Sequence, residues 1–198
     1  LFFNCFAKIL KNMNLNNSIP LFVDLDGTII KEDIGQTAIK KKIKDNIFNI
    51  FGILVRFLLF GKPSVKFYIS KNFNVNFGDL HFNHACIDFI MESKKLGRKI
   101  FLISGSHELV VKVIGDKLNI FDGIYGTRKN YNMISNNKVR FIHSTLGYSK
   151  FDYIGNSYQD LPVWDYSENV IYTNVEEDLL PKINLISKNK IFIKHKFD

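Results

Sequence analysis

Cysteine is scarce, with two in 198 residues, Cys5 and Cys86. Two thiols cannot build a disulfide framework or, unaided, a four-ligand zinc site. They sit most naturally in a reducing compartment. Arginine is scarce too. Lys and Arg number 27 against 19 Asp and Glu, a formal net charge of +8, yet only 4 of the 27 are Arg. Nucleic-acid readers usually gather Arg on one basic face. Neither feature is visible, so no nucleic-acid partner is expected. Asn, Ile and Lys supply 70 residues and share A/T-rich codons, which offers a bland origin for part of the Lys excess. An anionic substrate or a negatively charged membrane surface suits the rest.

Long hydrophobic runs are missing. The longest, Ile47–Phe60 (IFNIFGILVRFLLF), is interrupted by Asn49, Gly52 and Arg56, and falls short of the ~20 residues that cross a bilayer. A buried or cap helix is expected there. A helix lying on a membrane surface is the alternative, helped by the basic run Lys40–Lys44 just before it. Leu1–Leu10 is apolar but short and has no small-residue cleavage site, so it reads as neither secretory signal nor membrane span. Apolar residues at 46% and charged residues at 23% exclude a disordered tail and a collagen-like fibre.

What is present is an alternation. Apolar runs at Ile19–Asp24, Arg98–Ser104, Gly123–Tyr125, Phe151–Ile154 and Asn169–Tyr172 read as buried strands. Helical patterns fall between them, at Gln36–Phe60, Pro63–Phe73, Leu80–Leu96, Glu108–Leu118, Lys138–Leu146 and Asp160–Tyr166. A Gly61-Lys62-Pro63 turn separates the first two, and a last helix is expected over Glu176–Ile186. Thr127–Asn137 is polar and reads as a small hairpin. Strands alternating with helices predict an α/β fold, a Rossmann-like parallel sheet with helices on both faces. Ligands in such sheets bind beyond the carboxyl ends of the strands, where Asp24, Ser104 and Asn156 fall.

Four elements there carry chemistry. Val23–Thr28 (VDLDGT) projects two carboxylates from a strand end. Asp24 can attack phosphorus, and Asp26 can protonate a leaving oxygen and later deprotonate a water. An ordinary Asp-Gly turn is the bland alternative. Ser104, with the amides of Gly105 and Ser106 behind it, can hold phosphoryl oxygens, or it can simply cap a helix. Asn156 and Asp160 flank a turn and, with Asp24, offer the oxygen ligands that Mg²⁺ prefers. Lys138 can neutralise the attacking carboxylate, although one Lys among 23 has no specificity of its own.

Their order resembles the haloacid dehalogenase-like superfamily of hydrolases. Asp24-Leu25-Asp26-Gly27-Thr28 looks like its first motif, Ser104 its second, Lys138 its third and Gly155–Asp160 its fourth. The resemblance covers about residues 19–173. It implies a Mg²⁺-dependent phosphatase with an aspartyl-phosphate intermediate on Asp24 and Asp26 as acid and base. Phosphate binding would fall to Asp24, Ser104, Gly105 and Lys138, and the metal to Asp24, Asp26, Asn156 and Asp160. LFVDLDGTII followed by FDYIGNSYQDLPVW is similar to the hydrolase domain fused ahead of UbiA-type membrane prenyltransferases. That likeness implies a cytoplasmic domain at the inner face of a membrane, acting on a small phosphorylated and prenyl-phosphate-linked substrate. A catalytically weak accessory domain that binds phosphate is the other reading.

The family's usual Asp after the glycine of the fourth motif is here Asn156, which brings an oxygen without a charge and should weaken Mg²⁺ binding. Lys150 is the runner-up to Lys138. The expected organisation is an α/β core over residues 19–34 and 80–190, a helical cap inserted after the first strand over 35–79, and terminal extensions over 1–18 and 191–198. Cap residues such as Ile47, Phe48, Phe51, Leu54, Phe57 and Leu58 are expected to pack in a core, with an apolar substrate face as the weaker alternative.

Overall fold

Leu21, Phe22 and Val23 are fully buried. A strand buried on both faces belongs in the middle of a covered parallel sheet. In the computed structural model, which describes residues 19–71 and 73–197, these three residues form β1. The others are β2 (Ile100–His107), β3 (Gly123–Thr127), β4 (Asp152–Gly155), β5 (Asn169–Tyr172) and β6 (Asn189–Phe192). Every pairing is parallel, in the order β3-β2-β1-β4-β5-β6. The chain winds outward from β1 in both directions, so the crevice between β1 and β4 is the switch point where ligands collect.

Side-chain alternation along the strands divides the core. Leu21 and Val23 face one cluster with Ile100, Leu102 and Ile154, covered by α3 (His84–Lys95) and α4 (Glu108–Leu118). Phe22 faces the other with Phe101, Ile103 and Tyr153, covered by α6 (Leu161–Tyr166) and α7 (Leu180–Leu185). α5 (Asn136–Arg140) runs directly into a wider π turn over Phe141–Thr145. Asn83 starts α3. Its Oδ1 accepts from the Cys86 amide, while its Nδ2 donates to the Thr28 carbonyl and the Thr173 hydroxyl. One side chain thereby fixes the loop after β1 to the loop after β5.

The insertion after β1 is helical, as the sequence predicts. α1 (Ile34–Asp45) begins at Asp33, whose carboxylate accepts from the Gln36 amide. α2 (Asn49–Ser70) breaks at Gly61, where φ is 72° and ψ −177°. Glycine tolerates that conformation at little steric cost. The Gly61-Lys62-Pro63 turn therefore stands where the sequence puts it.

Two expectations need correction. Residues 191–197 are not a terminal extension outside the core: β6 pairs with β5, and Ile191 and Ile193 are buried. The Lys residues alternating through this segment disguise a one-sided strand. Most apolar residues of Ile47–Phe60 do not pack in a core, since Phe48 is 72%, Phe51 65% and Leu58 70% exposed, and Ile53 is the one that packs on Val65 and Ile69. The helix turns a different side inward, described below. Thr127–Asn137 holds the small hairpin expected of it only in minimal form, an antiparallel bridge in which Arg128 and Tyr131 exchange both backbone hydrogen bonds across two residues. The reading of Leu1–Leu10 lies outside the described residues. Among those described, no helix is long and apolar enough to cross a membrane.

Candidate active site

β1 ends at Val23, and the Asp24 amide donates to the Ile154 carbonyl of β4 at 2.9 Å. This bond aims the Asp24 carboxylate out of the sheet beside the β4 end. Gly27 then turns with φ 73°, and a Cβ there would stand 2.1 Å from Asn156 Nδ2. A glycine is thus required for the turn and for the close approach of the β4 loop. Thr28 Oγ1 donates to Asn156 Oδ1 at 3.2 Å, and Asn174 Nδ2 donates to the Gly27 carbonyl.

Lys138 reaches this point from α5. Its ammonium is 3.0 Å from Asp24 Oδ1 and 3.2 Å from Asp160 Oδ1, and donates to the Tyr153 hydroxyl at 2.6 Å. Tyr153 in turn donates to Asp160 Oδ1 at 2.6 Å. Asp160 Oδ2 accepts from the Asn156 amide, the Ser157 amide and the Ser157 hydroxyl. Both Asp160 oxygens are therefore engaged, and the residue is fully buried. It anchors Lys138 and the loop after β4 from behind, so it offers no free oxygen to a metal.

Asp26 is held differently. Its Oδ1 accepts from the Ile34 amide at 2.8 Å, and its Oδ2 accepts from the hydroxyls of Ser104 and Ser106 at 2.9 and 2.8 Å. Ser104 lies wholly buried behind Asp26, and the Ser106 amide donates to its hydroxyl. In this run Gly105 and Ser106 line the cavity and Ser104 does not.

The cavity, about 650 Å³, is bordered by Asp24, Asp26, Gly105, Ser106, Lys138 and Asn156 on the sheet side. Lys66, Ile69 and Ser70 of α2 close it from the insertion. Lys66 Nζ donates to the Gly105 carbonyl at 2.6 Å and to Asn132 Oδ1 at 2.7 Å. Thr127 Oγ1 supports the same carbonyl at 2.7 Å. Lys150 is exposed and does not border the cavity. Sequence reasoning missed Tyr153, the Ser106 hydroxyl on Asp26 and Lys66. The first two were within reach: Ser106 follows Ser104 by one strand period, and Tyr153 sits on the strand leading to the acidic turn. Lys66 carries no local signal.

The electrostatics divide the two carboxylates by environment. Burial raises Asp24 to about 7 against the pull of Lys138, and Asp160 and Asp26 push it the same way. Burial raises Asp26 as well, and the Ile34, Ser106 and Ser104 bonds oppose it. Burial works against the Lys138 ammonium, but Asp160 and Asp24 outweigh it and hold its pKa above the ordinary lysine value. Burial lowers Lys66 to about 8. A carboxylate that ionises near neutrality beside a permanent cation suits a nucleophile, and a carboxyl raised by burial suits an acid.

The donor set also bears on Mg²⁺. Asp24 Oδ1 is buried and has no aligned hydrogen bond, with the Lys138 charge as its neighbour. Asn156 Oδ1 accepts only a long bond from Thr28. These oxygens and the Asp26 carbonyl are hard ligands of the kind Mg²⁺ takes, with one charge among them. Among the described residues no cluster of three or more His, Cys, Asp or Glu could hold a metal, so the fit depends on neutral oxygens.

No protein-family model matches the chain. An uncharacterized protein of Sinorhizobium fredii, y4nM, is 26% identical over 167 residues, which is 83% of this chain and 31% of that protein. The chain thus spans about a third of that relative's length. Among solved structures it is similar to a Bordetella pertussis protein of unknown function, with a TM-score of 0.62 at 12% identity, covering 88% of this chain and 98% of that one. A haloacid dehalogenase-like family protein of Streptococcus pneumoniae gives 0.60 at 16% identity, over 90% and 95%. A phosphoserine phosphatase held as a phospho-aspartyl intermediate analogue gives 0.58 at 14%, over 90% and 95%. The chain has the fold of these hydrolases.

Proposed function

We propose that this chain is a phosphatase that hydrolyses a small phosphomonoester through an aspartyl-phosphate on Asp24. The observation that carries the reading is the buried Asp24–Lys138 ion pair at the cavity floor, with Asp26 held by two serines in the same cavity. Asp24 attacks phosphorus, an Oδ–P bond forms and the P–O bond to the leaving group breaks. Asp26, protonated, gives its proton to the departing oxygen. A water then attacks the acyl-phosphate. Asp26 takes a proton from that water, the Oδ–P bond breaks and inorganic phosphate leaves. Lys138, with the Gly105 backbone that borders the cavity, would hold phosphoryl oxygens as charge builds on them. Mg²⁺, held by Asp24, the Asp26 carbonyl and Asn156, would supply positive charge to the same oxygens. The phospho-aspartyl analogue on a similar fold supports the covalent route.

The α1–α2 insertion acts in this reading as a cap that excludes water, with Lys66 as its cation at the cavity. The more specific form is a cytoplasmic domain joined to a UbiA-type prenyltransferase and using a prenyl-phosphate-linked ester. Its support is the motif wording together with the exposed apolar helix.

The test is release of inorganic phosphate from a panel of phosphomonoesters, with and without Mg²⁺. Mg²⁺-dependent release that Asp24→Asn abolishes is expected. Asn156 favours the accessory-domain reading, because it removes a charged metal ligand. That reading takes over if wild type releases nothing and Asn156→Asp gains activity.

A further inference from the structure

The first half of α2 is built inside out. Apart from Ile53, which packs against the Ala38, Val65 and Ile69 cluster, the side facing the protein is polar or small: Asn49 Oδ1 accepts from the Tyr68 hydroxyl at 2.8 Å, and Gly52 lies against that hydroxyl. The Arg56 guanidinium stacks 4.1 Å from the Tyr68 ring. The outward side is apolar, with Phe51 65%, Leu54 51%, Leu58 70%, Leu59 67% and Phe60 68% exposed. A helix on the surface of a water-soluble domain shows the opposite arrangement.

The extent of the patch selects its occupant. Phe57, Leu58, Leu59 and Phe60 are consecutive and all exposed, and at about 100° per residue they cover roughly 300° of the circumference. A protein partner, or a second copy of this chain, would bury one stripe of such a helix. A medium that wraps around it is needed to cover the rest. The charge around it is predominantly positive, with exposed Asp45 beside Lys44 as the opposing charge. No Asp or Glu occurs between Asp45 and Asp79, while Lys40, Lys41, Lys44 and Lys62 are exposed at the two ends of the apolar run. The straight part is Asn49–Phe60, about 18 Å at 1.5 Å per residue, too short to cross hydrocarbon about 30 Å thick. Apolar surface flanked by Lys, of this length, matches a helix lying in the plane of an anionic lipid surface.

We propose that Ile47–Phe60 is an interfacial helix that inserts into an anionic bilayer, with the flanking lysines at the headgroups. The Gly61 break separates this segment from Val65 and Ile69, which pack on Ala38 of α1. The inserted half and the half that closes the cavity are thus joined covalently at the Gly61 break and held together by the contacts of Tyr68 with Asn49 and Arg56. The inference stands on this surface alone and holds whether or not the site is catalytic.

The full chain is sedimented with extruded vesicles of phosphatidylcholine, and of phosphatidylcholine with phosphatidylserine, at low and high salt. Salt-sensitive binding to the anionic vesicles is expected. Phe51→Glu with Leu58→Glu should lower it by about tenfold or more, and Lys40→Glu with Lys41→Glu should lower it too. Phe51→Trp should be quenched by brominated acyl chains, while the native Trp164, fully buried, should not. Circular dichroism checks folding of each variant. Phosphate release in lipid-free buffer is expected to be unchanged by Phe51→Glu and Leu58→Glu, which separates loss of docking from loss of activity. Binding that ignores Phe51→Glu and Leu58→Glu would overturn insertion. So would absence of vesicle binding together with a dimer that those changes dissociate. So would a lipid-free Phe51→Trp already shielded by residues 1–18 of its own chain.

Discussion

Lys138 is the point at which the buried charges balance. Asp24, Asp160 and the Tyr153 hydroxyl all lie within 3.2 Å of its ammonium. Removing the cation leaves buried carboxylates without a partner, so Lys138→Met should cost about 3–5 kcal/mol in urea unfolding, as well as activity. A change near zero would show that the ion pair is not buried as described. Lys66 gives a pH signature. Its pKa of about 8 means the cavity loses a positive charge as pH rises from 7 to 9, while Lys138 keeps its own. Sulfate stays a dianion throughout, so its binding should weaken over that range. Asp24 ionises near 7 and pushes the same way, and Lys66→Met isolates the lysine. That variant should bind more weakly at pH 7 and show a shallower pH dependence by calorimetry. Equal slopes would remove Lys66 from the anion site. Asp24, Asp26 and Asn156 were legible in the sequence because they follow β1 and β4, whereas Lys138, in α5, was found only through the order of the motifs. Lys66 was not, because only tertiary folding brings an insertion helix to Gly105.

At the scale of elements, hydrophobic patterning located five of the six strands, and the glycine-proline turn at Gly61 located the break in α2. It failed where exposure and apolarity part company. β6 hides among lysines, yet Ile193 is fully buried and its amide donates to the Tyr172 carbonyl. Ile193→Ala should therefore lower stability by about 2–5 kcal/mol, read as a shift of the urea midpoint. A solvated tail would leave the midpoint where it was. Ile47–Phe60 fails in the opposite sense. Its composition says core, and no periodicity rule reports that Tyr68 claims the polar side.

At the scale of the molecule, the strand order puts Asp24 and Asn156 at one switch point and hangs a helical insertion over it. Among the described residues no helix is long and apolar enough to cross a membrane, and the motif order points to phosphate chemistry. In the proposed reading Asn156 is the residue on which activity turns, because an amide would hold Mg²⁺ with less charge than a carboxylate. Asn156→Asp should lower the Mg²⁺ concentration needed for half-maximal phosphate release, and an unchanged requirement would take Asn156 out of the metal site. The covalent step is the centre of the account. Asp26→Asn can still let Asp24 attack a substrate with a good leaving group, but it cannot activate the water that follows. Intact-mass spectrometry of that variant, mixed with Mg²⁺ and an aryl phosphate that the wild type hydrolyses, should show one added phosphoryl group, mapped to Asp24 and lost to hydroxylamine. An unmodified protein, or a phosphoryl group on any other residue, would contradict it.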